Sequence, residues 1–373
     1  MLQSVLVTDG NYRHTLALLR AISGYYQLHV GAEQRNACCF YSRFVKGRML
    51  YSTRTPEQFF DSIQKYSKAK KIHCIVPVGD TTCFYASMYK EKIEAEVPIS
   101  NIESMNTARN KLKMMDKARR YGFKVPNVIE SLNNPRFPLV LKPVYGRGNL
   151  QFVNNKKELR QAVKLFKMND VPFFVTEYVP GFENLSFAGL FKKGKLQVFF
   201  IYRELREFPL TGGSATYAVS IYDSYIKERC RKLLEGLNWH GVAMVEFKLD
   251  LQGTPYFMEV NPKFWASLEL AIRCGVNFPL LLLKMCEGEK IEQPKYIVGK
   301  RFRWVLEDVL SFLSKPSVEF LKSVGQRSSI DVHLDDLPAH FLRVLNKFRR
   351  VYYAKRRLKT FRLGYPYGIP VTE

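Results

Sequence analysis

Cysteine is sparse and unpatterned. The seven residues, at positions 38, 39, 74, 83, 230, 274 and 286, are odd in number and contain no CxxC pair. That excludes a disulfide framework and a cysteine zinc site, and it points to reduced thiols in a cytosol. The vicinal pair Cys38–Cys39 reads as buried packing in preference to a redox couple. Long apolar runs are missing too: the longest, Phe278–Leu283, is interrupted by Pro279 and is far too short to span a bilayer. The opening "MLQSVLVTDG" has neither the basic start nor the long apolar segment of a leader, and reads as a first strand. Neither an internal repeat nor a low-complexity linker is found. Acids are in short supply as well, 34 against 58 Lys and Arg, for a formal net charge of +24. Such an excess attracts polyanions: nucleotides, acidic polymers, anionic lipid or nucleic acid.

What is present suits a soluble α/β protein of two or three domains, with 46% hydrophobic and 25% charged residues over 373 positions. Residues 1–104 alternate strand and helix signals, as in "SVLVTDG", "YRHTLALLRAISGY", "YQLHVGAE" and "KIHCIVPVGD", the last ending at a Gly-Asp turn. Thr55 and Pro56 mark a helix start. Alternation of this kind predicts a Rossmann-like open parallel sheet. "NTARNKLKMMDKARRYGFKVPNVIE" predicts one helix stopped by Gly122, with Pro126 introducing a strand. Residues 105–180 continue as strand ("FPLVLKPV"), glycine turn ("YGRGN"), helix ("NKKELRQAVKLFKM") and strand ("FFVTEYV"). Residues 181–288 carry β patterns, with "KKGK" as a hairpin turn, and two helices. Residues 289–373 read as helical and basic. From Arg343 to Thr372 there are nine Lys or Arg and no acid.

The informative stretch is "MVEFKLDLQGTPYFMEVNPKFW", residues 244–265. Glu246 and Glu259 sit among apolar neighbours, where a carboxylate is costly unless a cation compensates it. Across the turn they can face each other on paired strands, with Asn261 two residues beyond Glu259 on the same face. Oxygen donors without His or Cys suit a hard cation, and Mg²⁺ fits best. Surface strand residues beside a turn are the plain alternative. Upstream, Lys142 ends a strand and is followed by Gly146, Arg147 and Gly148. An ammonium beside a glycine turn with free N–H groups is a phosphate-binding arrangement, although a surface turn gives the same pattern. The stretch is neither a Rossmann fingerprint nor a Walker loop, because the third glycine is absent and the lysine precedes the glycines. In "FFVTEYVPGFEN", an extended segment offers backbone groups for the edge of adenine and Glu183 an acid for ribose.

Taken in order, these residues resemble the ATP-grasp superfamily. "NKLKMMDKARRYGFKVP" looks like the helix of the first phosphate lysine, "LVLKPVYGRGN" like the second lysine and lid loop, "TEYVPGFEN" like the adenine hinge and ribose acid, and "MVEF…YFMEVNPKFW" like the metal hairpin. The likeness covers about residues 1–288. "YRELREFPLTGGSATYAVSIYD", "LNWHGVAMVEFKLD", "EVNPKFWASLELAIRCGVNFP" and "DVHLDDLP" further resemble microbial ATP-grasp carboxylate–amine ligases, related to carbamoyl-phosphate synthase large subunits and a D-aspartate ligase.

The resemblance implies an ATP-grasp fold: a Rossmann-like domain (1–104), a lid subdomain (105–180), a metal- and substrate-binding antiparallel subdomain (181–288) and a basic helical extension (289–373). It implies ATP and two Mg²⁺, with Mn²⁺ as substitute. Lys111 and Lys142 would bind phosphates under a loop of Gly146, Arg147 and Gly148. Glu177, Tyr178 and Val179 would meet adenine, and Glu183 ribose, with Asn184 taking that place if the hinge is one residue longer. Glu246, Glu259 and Asn261 would hold metal. Lys263, where the family usually has arginine, and Arg203 would act in catalysis. Arg206, Gly212, Gly213, Ser214 and Ser267 would bind substrate. For the glycines a turn between strands, and for the arginines a solvated strand face, are competing readings.

The implied reaction passes the γ-phosphoryl group to a carboxylate, and an amine then displaces phosphate. No enzyme nucleophile is needed, and His240 is expected to be structural. Rivals are bicarbonate as the activated acid, and a non-catalytic polyanion binder on the same scaffold. The tail reads either as a helix packed on the body or as a contact to an anionic membrane surface or polyanion; nucleic acid is not expected, and a homodimer is an open option. The expected location is cytoplasmic, or peripheral at a membrane surface.

Overall fold

The structure, a computed structural model, describes residues 2–146, 150–181, 183–209 and 212–357. The N-terminal part follows the alternation in sequence. Strand β1 (Ser4–Val7), helix α1 (Arg13–Ile22), β2 (Gln27–Ala32), β3 (Val45–Leu50), α2 (Pro56–Lys70), β4 (Cys74–Val76) and α3 (Asp80–Met88) come in that order. The four strands form a parallel sheet of order β3–β2–β1–β4. Thr55 caps α2, its hydroxyl accepting from the Gln58 N–H at 3.2 Å. Chain order reverses at β1, so the loops after β1 and β4 flank the switch point where open parallel sheets take ligands.

The single helix predicted from Asn106 is two helices. Helices α4 (Ile102–Arg109) and α5 (Lys111–Arg120) are broken at Asn110, whose side chain caps α5 by accepting from the Lys113 N–H at 3.0 Å. The stop at Gly122 is as expected, with a left-handed φ of +78°. Pro126 introduces no regular strand. The flanking residues make only isolated bridges, Lys124 to Tyr256 and Val128 to Thr176, in keeping with proline's missing donor.

Next comes a small antiparallel sheet of order β6–β5–β7, from β5 (Leu139–Pro143), β6 (Gln151–Val153) and β7 (Phe173–Glu177). Helix α6 (Lys156–Met168) packs Leu159, Ala162 and Phe166 onto Leu139, Leu141 and Val175. The large sheet contains β8 (Asn184–Lys192), β9 (Lys195–Phe208), β10 (Ser214–Ile221), then, after α7 (Ser224–Glu235), β11 (Gly241–Leu249) and β12 (Pro255–Asn261). Lys193 and Gly194, at φ +47° and +79°, turn β8 into β9 as "KKGK" predicts. Helices α8 (Leu268–Arg273) and α9 (Phe278–Cys286) follow.

The C-terminal region is helical, as expected, through α10 (Val305–Ser314), α11 (Val318–Val324) and α12 (Leu337–Arg357), but it also holds two strands that the sequence reading missed. Strands β13 (Arg301–Arg303) and β14 (Ser329–Ile330) extend the large sheet to the order β12–β11–β8–β9–β10–β13–β14. With Phe302 the one apolar residue of its strand, no alternation could register. Helix α12 is seated on the body by the buried Ala339 and by Arg343, which reaches Glu307 at 3.2 Å and Asp331 at 2.7 Å. All seven cysteines are free and six are buried, Cys286 partly. No described helix is long and apolar enough to cross a membrane.

Candidate active site

Glu246 and Glu259 are partners across the β11–β12 hairpin, and Asn261 stands opposite Met244. A β-bulge makes this work. Phe257, Glu259 and Asn261 share one parity, so in a regular strand all three would face one side. The register shifts between the pairs Glu246–Glu259 and Phe247–Phe257, leaving Met258 as the extra residue. Phe257 therefore points into the core with Phe247, while Glu259 turns to the opposite face beside Glu246. Bulges re-aim side chains in this way next to active sites. The Asn261 amide donates to Glu259 Oε1 at 3.1 Å. Two carboxylates and an amide oxygen are the donor chemistry Mg²⁺ accepts. Among the described residues no group of three or more His, Cys, Asp or Glu gathers as a metal site, so this mixed set is the candidate.

Two lysines converge on it. Lys111, first residue of α5, places Nζ 3.3 Å from Glu259 Oε2 and also donates to the Gly146 carbonyl. Its backbone N–H donates to the Val144 carbonyl at 3.0 Å, which locks the helix start to the end of β5. Gly146 has a left-handed φ of +77°; Arg147 and Gly148 lie outside the described residues. Lys142 on β5 has Nζ 3.5 Å from Met258 Sδ, the bulge residue. Burial lowers its pKa to about 8, with Glu259 opposing and Lys111 adding to the fall.

Lys263 is buried, 6% exposed, with Nζ 3.4 Å from Asp80 Oδ1 at the start of α3. Arg109 Nη2 lies 3.2 Å from the other oxygen of the same carboxylate, and its guanidinium stacks on Phe84 at 4.0 Å. Burial would raise the Asp80 pKa, but Lys263, Arg109 and Lys111 more than offset it and hold the carboxylate below its usual range. Neither Asp80 nor Arg109 was singled out from the sequence. The only trace was a Gly-Asp turn after a buried strand.

The other expected residues distribute as follows. Glu177 is tied by its carboxylate to the backbone and side-chain N–H of Asn127, each at 3.0 Å. Tyr178 donates its N–H to Pro138 at 3.2 Å, and Val179 is buried. Glu183 pairs with Arg203 at 3.4 Å near the surface, so Arg203 lies by Glu183 rather than at the β11–β12 hairpin. Asn184 donates to Glu207 at 3.1 Å. Arg206 is committed elsewhere: it makes a two-point pair with Asp308, at 2.9 and 2.8 Å, and packs on Tyr217 and Phe320. A solvated face does not describe it. Gly212 and Gly213 belong to the β9–β10 connection, where a side chain at Gly213 would strike the Phe208 backbone. Leu150, just after the lid loop, lies against Gly212. Arg13, unforeseen, bonds the carbonyls of Ala215 at 2.8 Å and Ala266 at 3.1 Å, which draws the neighbourhoods of Ser214 and Ser267 together. His240 accepts from the Lys193 N–H at 3.3 Å, and burial, with Lys90, Lys193 and Lys192, lowers its pKa to about 4. That is a neutral, structural histidine.

The family model described as an ATP-grasp domain matches residues 108–267, which contain Lys111, Lys142, Glu177–Val179 and the β11–β12 hairpin. Residues 108–267, somewhat under half of the chain, are thus similar to an ATP-grasp domain. Solved structures agree on the fold. The biotin carboxylase domain of 2-oxoglutarate carboxylase from Hydrogenobacter thermophilus, a complex with MgADP and bicarbonate, superposes with TM-score 0.65 at 14% identity, over 81% of this chain and 73% of that one. N5-carboxyaminoimidazole synthetase from Staphylococcus aureus, with ADP, gives TM-score 0.64 at 16% identity over 85% and 86%. L-amino acid ligase from Bacillus licheniformis gives 0.59 at 16% over 77% and 73%. No curated protein matches the chain in sequence. Identities this low establish the ATP-grasp architecture, and the chemistry must be argued from the side chains.

Proposed function

We propose that this protein is an ATP- and Mg²⁺-dependent ligase that joins a small carboxylate to an amine through an acyl phosphate. The observation that carries the reading is the bulged hairpin: it pairs Glu246 with Glu259 and brings Lys111 to 3.3 Å from the same carboxylate. A binder that had lost catalysis would have no need of that set. Within this reading residues 1–104 form the N-terminal domain, 105–180 the lid, 181–288 the metal and substrate subdomain, and 289–373 the extension.

Glu246, Glu259 and Asn261 would hold the metal, which supplies charge neutralisation of the phosphates. Lys111 and Lys142 bind phosphate oxygens, and the backbone at Glu177–Val179 receives adenine with Glu183 on the ribose. Lys263, beside the hairpin, steadies the developing negative charge. A carboxylate oxygen attacks the γ-phosphorus, the bond to ADP breaks, and an acyl phosphate forms. The amine nitrogen then attacks the acyl carbon, the carbon–oxygen bond to phosphate breaks, and the nitrogen releases a proton to solvent. Positioning and electrostatics do the catalytic work in such transfers.

The exposed face of α12 supports a further contact. Leu337, Phe341 and Phe348 are 51, 68 and 50% exposed at near-helical spacing, and the eight cations from residue 347 onward complement an anionic membrane surface. A homodimer is compatible with the same reading.

Incubating the protein with ATP, Mg²⁺, hydroxylamine and a panel of amino acids, sugar acids, peptides and bicarbonate tests the reaction. Carboxylate-dependent ADP release with a trapped hydroxamate is expected. Bicarbonate alone stimulating ADP release would assign the carboxylase type. AMP as the nucleotide product would overturn the mechanism.

A further inference from the structure

We propose that Arg109 is an anion-binding residue of this site, its guanidinium acting beside Lys263. The identity of the anion, the phosphoryl group in transit and the phosphate it becomes, rests on the ligase reading; the anion site itself rests on the geometry.

Arg109 and Lys263 come from different parts of the chain, the end of α4 and the residues after β12, yet each holds a different oxygen of Asp80, at 3.2 and 3.4 Å. The pair thus already clamps a carboxylate. Asp80 is the internal stand-in for an oxyanion of similar size and charge. The clamp is continuous with the phosphate site, because Lys111 acts on Asp80 electrostatically and pairs with Glu259 at 3.3 Å. Arg109 is also prepared for a ligand. Its plane is fixed on the ring of Phe84, and its buried Nε–H has no hydrogen-bond partner among the described residues. A buried donor left without an acceptor is costly, and a phosphate oxygen would satisfy it. Nearby, Lys263 offers a point charge, whereas a guanidinium offers a planar fork that grips two oxygens at once.

The role is distinguished from a merely structural one by moving the fork. Binding of inorganic phosphate to the full-length protein is measured by calorimetry, with and without saturating MgADP. Arg109→Lys keeps the charge and should weaken phosphate binding about tenfold, the scale of one lost charge-assisted bond. Adding Lys263→Arg to that variant should recover most of the loss. Asp80→Asn, which removes the competing carboxylate, should tighten phosphate several-fold. Arg109→Lys with wild-type phosphate affinity, or a double variant no better than the single, would overturn the proposal. If wild-type protein binds no MgADP, the ligase reading falls, and the titrations without nucleotide still decide whether Arg109 holds an anion.

Discussion

In the proposed ATP-binding role Lys142 would hold phosphate as a cation, yet it lies where burial disfavours charge. With its pKa lowered to about 8 in the protein without nucleotide, it loses its proton within the range where many ligases are assayed. Affinity for MgATP should therefore fall as pH rises through about 8, and Lys142→Arg, which stays charged, should abolish that limb. A titration series across this range checks both. The sign for stability is opposite. The unfolded chain holds the Lys142 proton up to its ordinary value and the folded one does not, so between about 8 and 10.5 this residue favours folding more as pH rises. At this scale the sequence was legible as far as proximity goes: Glu246, Glu259, Asn261, Lys111 and Lys142, picked out by residue type and spacing along one motif, lie together in the fold. It was not readable where partners meet only through the fold. Asp80 is 183 residues from Lys263, and nothing local told that Arg206 would be claimed by Asp308, 102 residues away.

Among the elements, α5 shows how a local signal aims a functional side chain. Asn110 ends α4, caps α5 through the Lys113 N–H, and donates to Tyr145 Oη at 3.0 Å in the loop before Gly146. One residue thus fixes both the helix that begins with Lys111 and the loop its ammonium touches. Asn110→Ala should cost about 1 kcal/mol of stability, typical of a lost N-cap, and should weaken MgATP binding more than Asp223→Ala, which removes the cap of α7 by taking away the acceptor of the Ile226 N–H at 2.9 Å. Chemical denaturation and nucleotide titration of the two variants measure this. The break at Asn110 was legible in principle, since asparagine before a basic amphipathic run is a cap signal, but Asn106 offered an earlier start. The bulge at Met258 was not legible. Alternation put Phe257 and Glu259 on one face, and only the pairing of Phe257 with Phe247 in the core separates them. Short strands such as β13 escape for a related reason: three residues carry too little pattern to be told from a loop.

For the whole molecule, the net charge of +24 is divided between the body of the fold and a basic C-terminal helix that are not independent. Arg343 pairs with Glu307 and Asp331 in the interior, and Glu307 lies 3.7 Å from Arg13, which in turn holds Ala266 and Ala215. Removing the chain from residue 343 would leave Asp331 buried without its cation and Glu307 with Arg13 alone, at a cost of about 3–5 kcal/mol. Truncation after Arg349 spares the network and removes six of the nine tail cations. That variant should keep its melting temperature and nucleotide binding, yet lose most of its salt-sensitive binding to vesicles containing phosphatidylserine; undiminished vesicle binding would leave α12 a packing role alone. The central claim, that the bulged hairpin and its lysines bind ATP through Mg²⁺, is tested most directly by calorimetric titration of ATP into wild-type protein and the near-isosteric Glu259→Gln, each with Mg²⁺ and with chelator. The account predicts that Mg²⁺ tightens ATP binding to the wild type at least tenfold and has little effect on folded Glu259→Gln. Equal Mg²⁺ dependence in the two proteins, or none in the wild type, would contradict it.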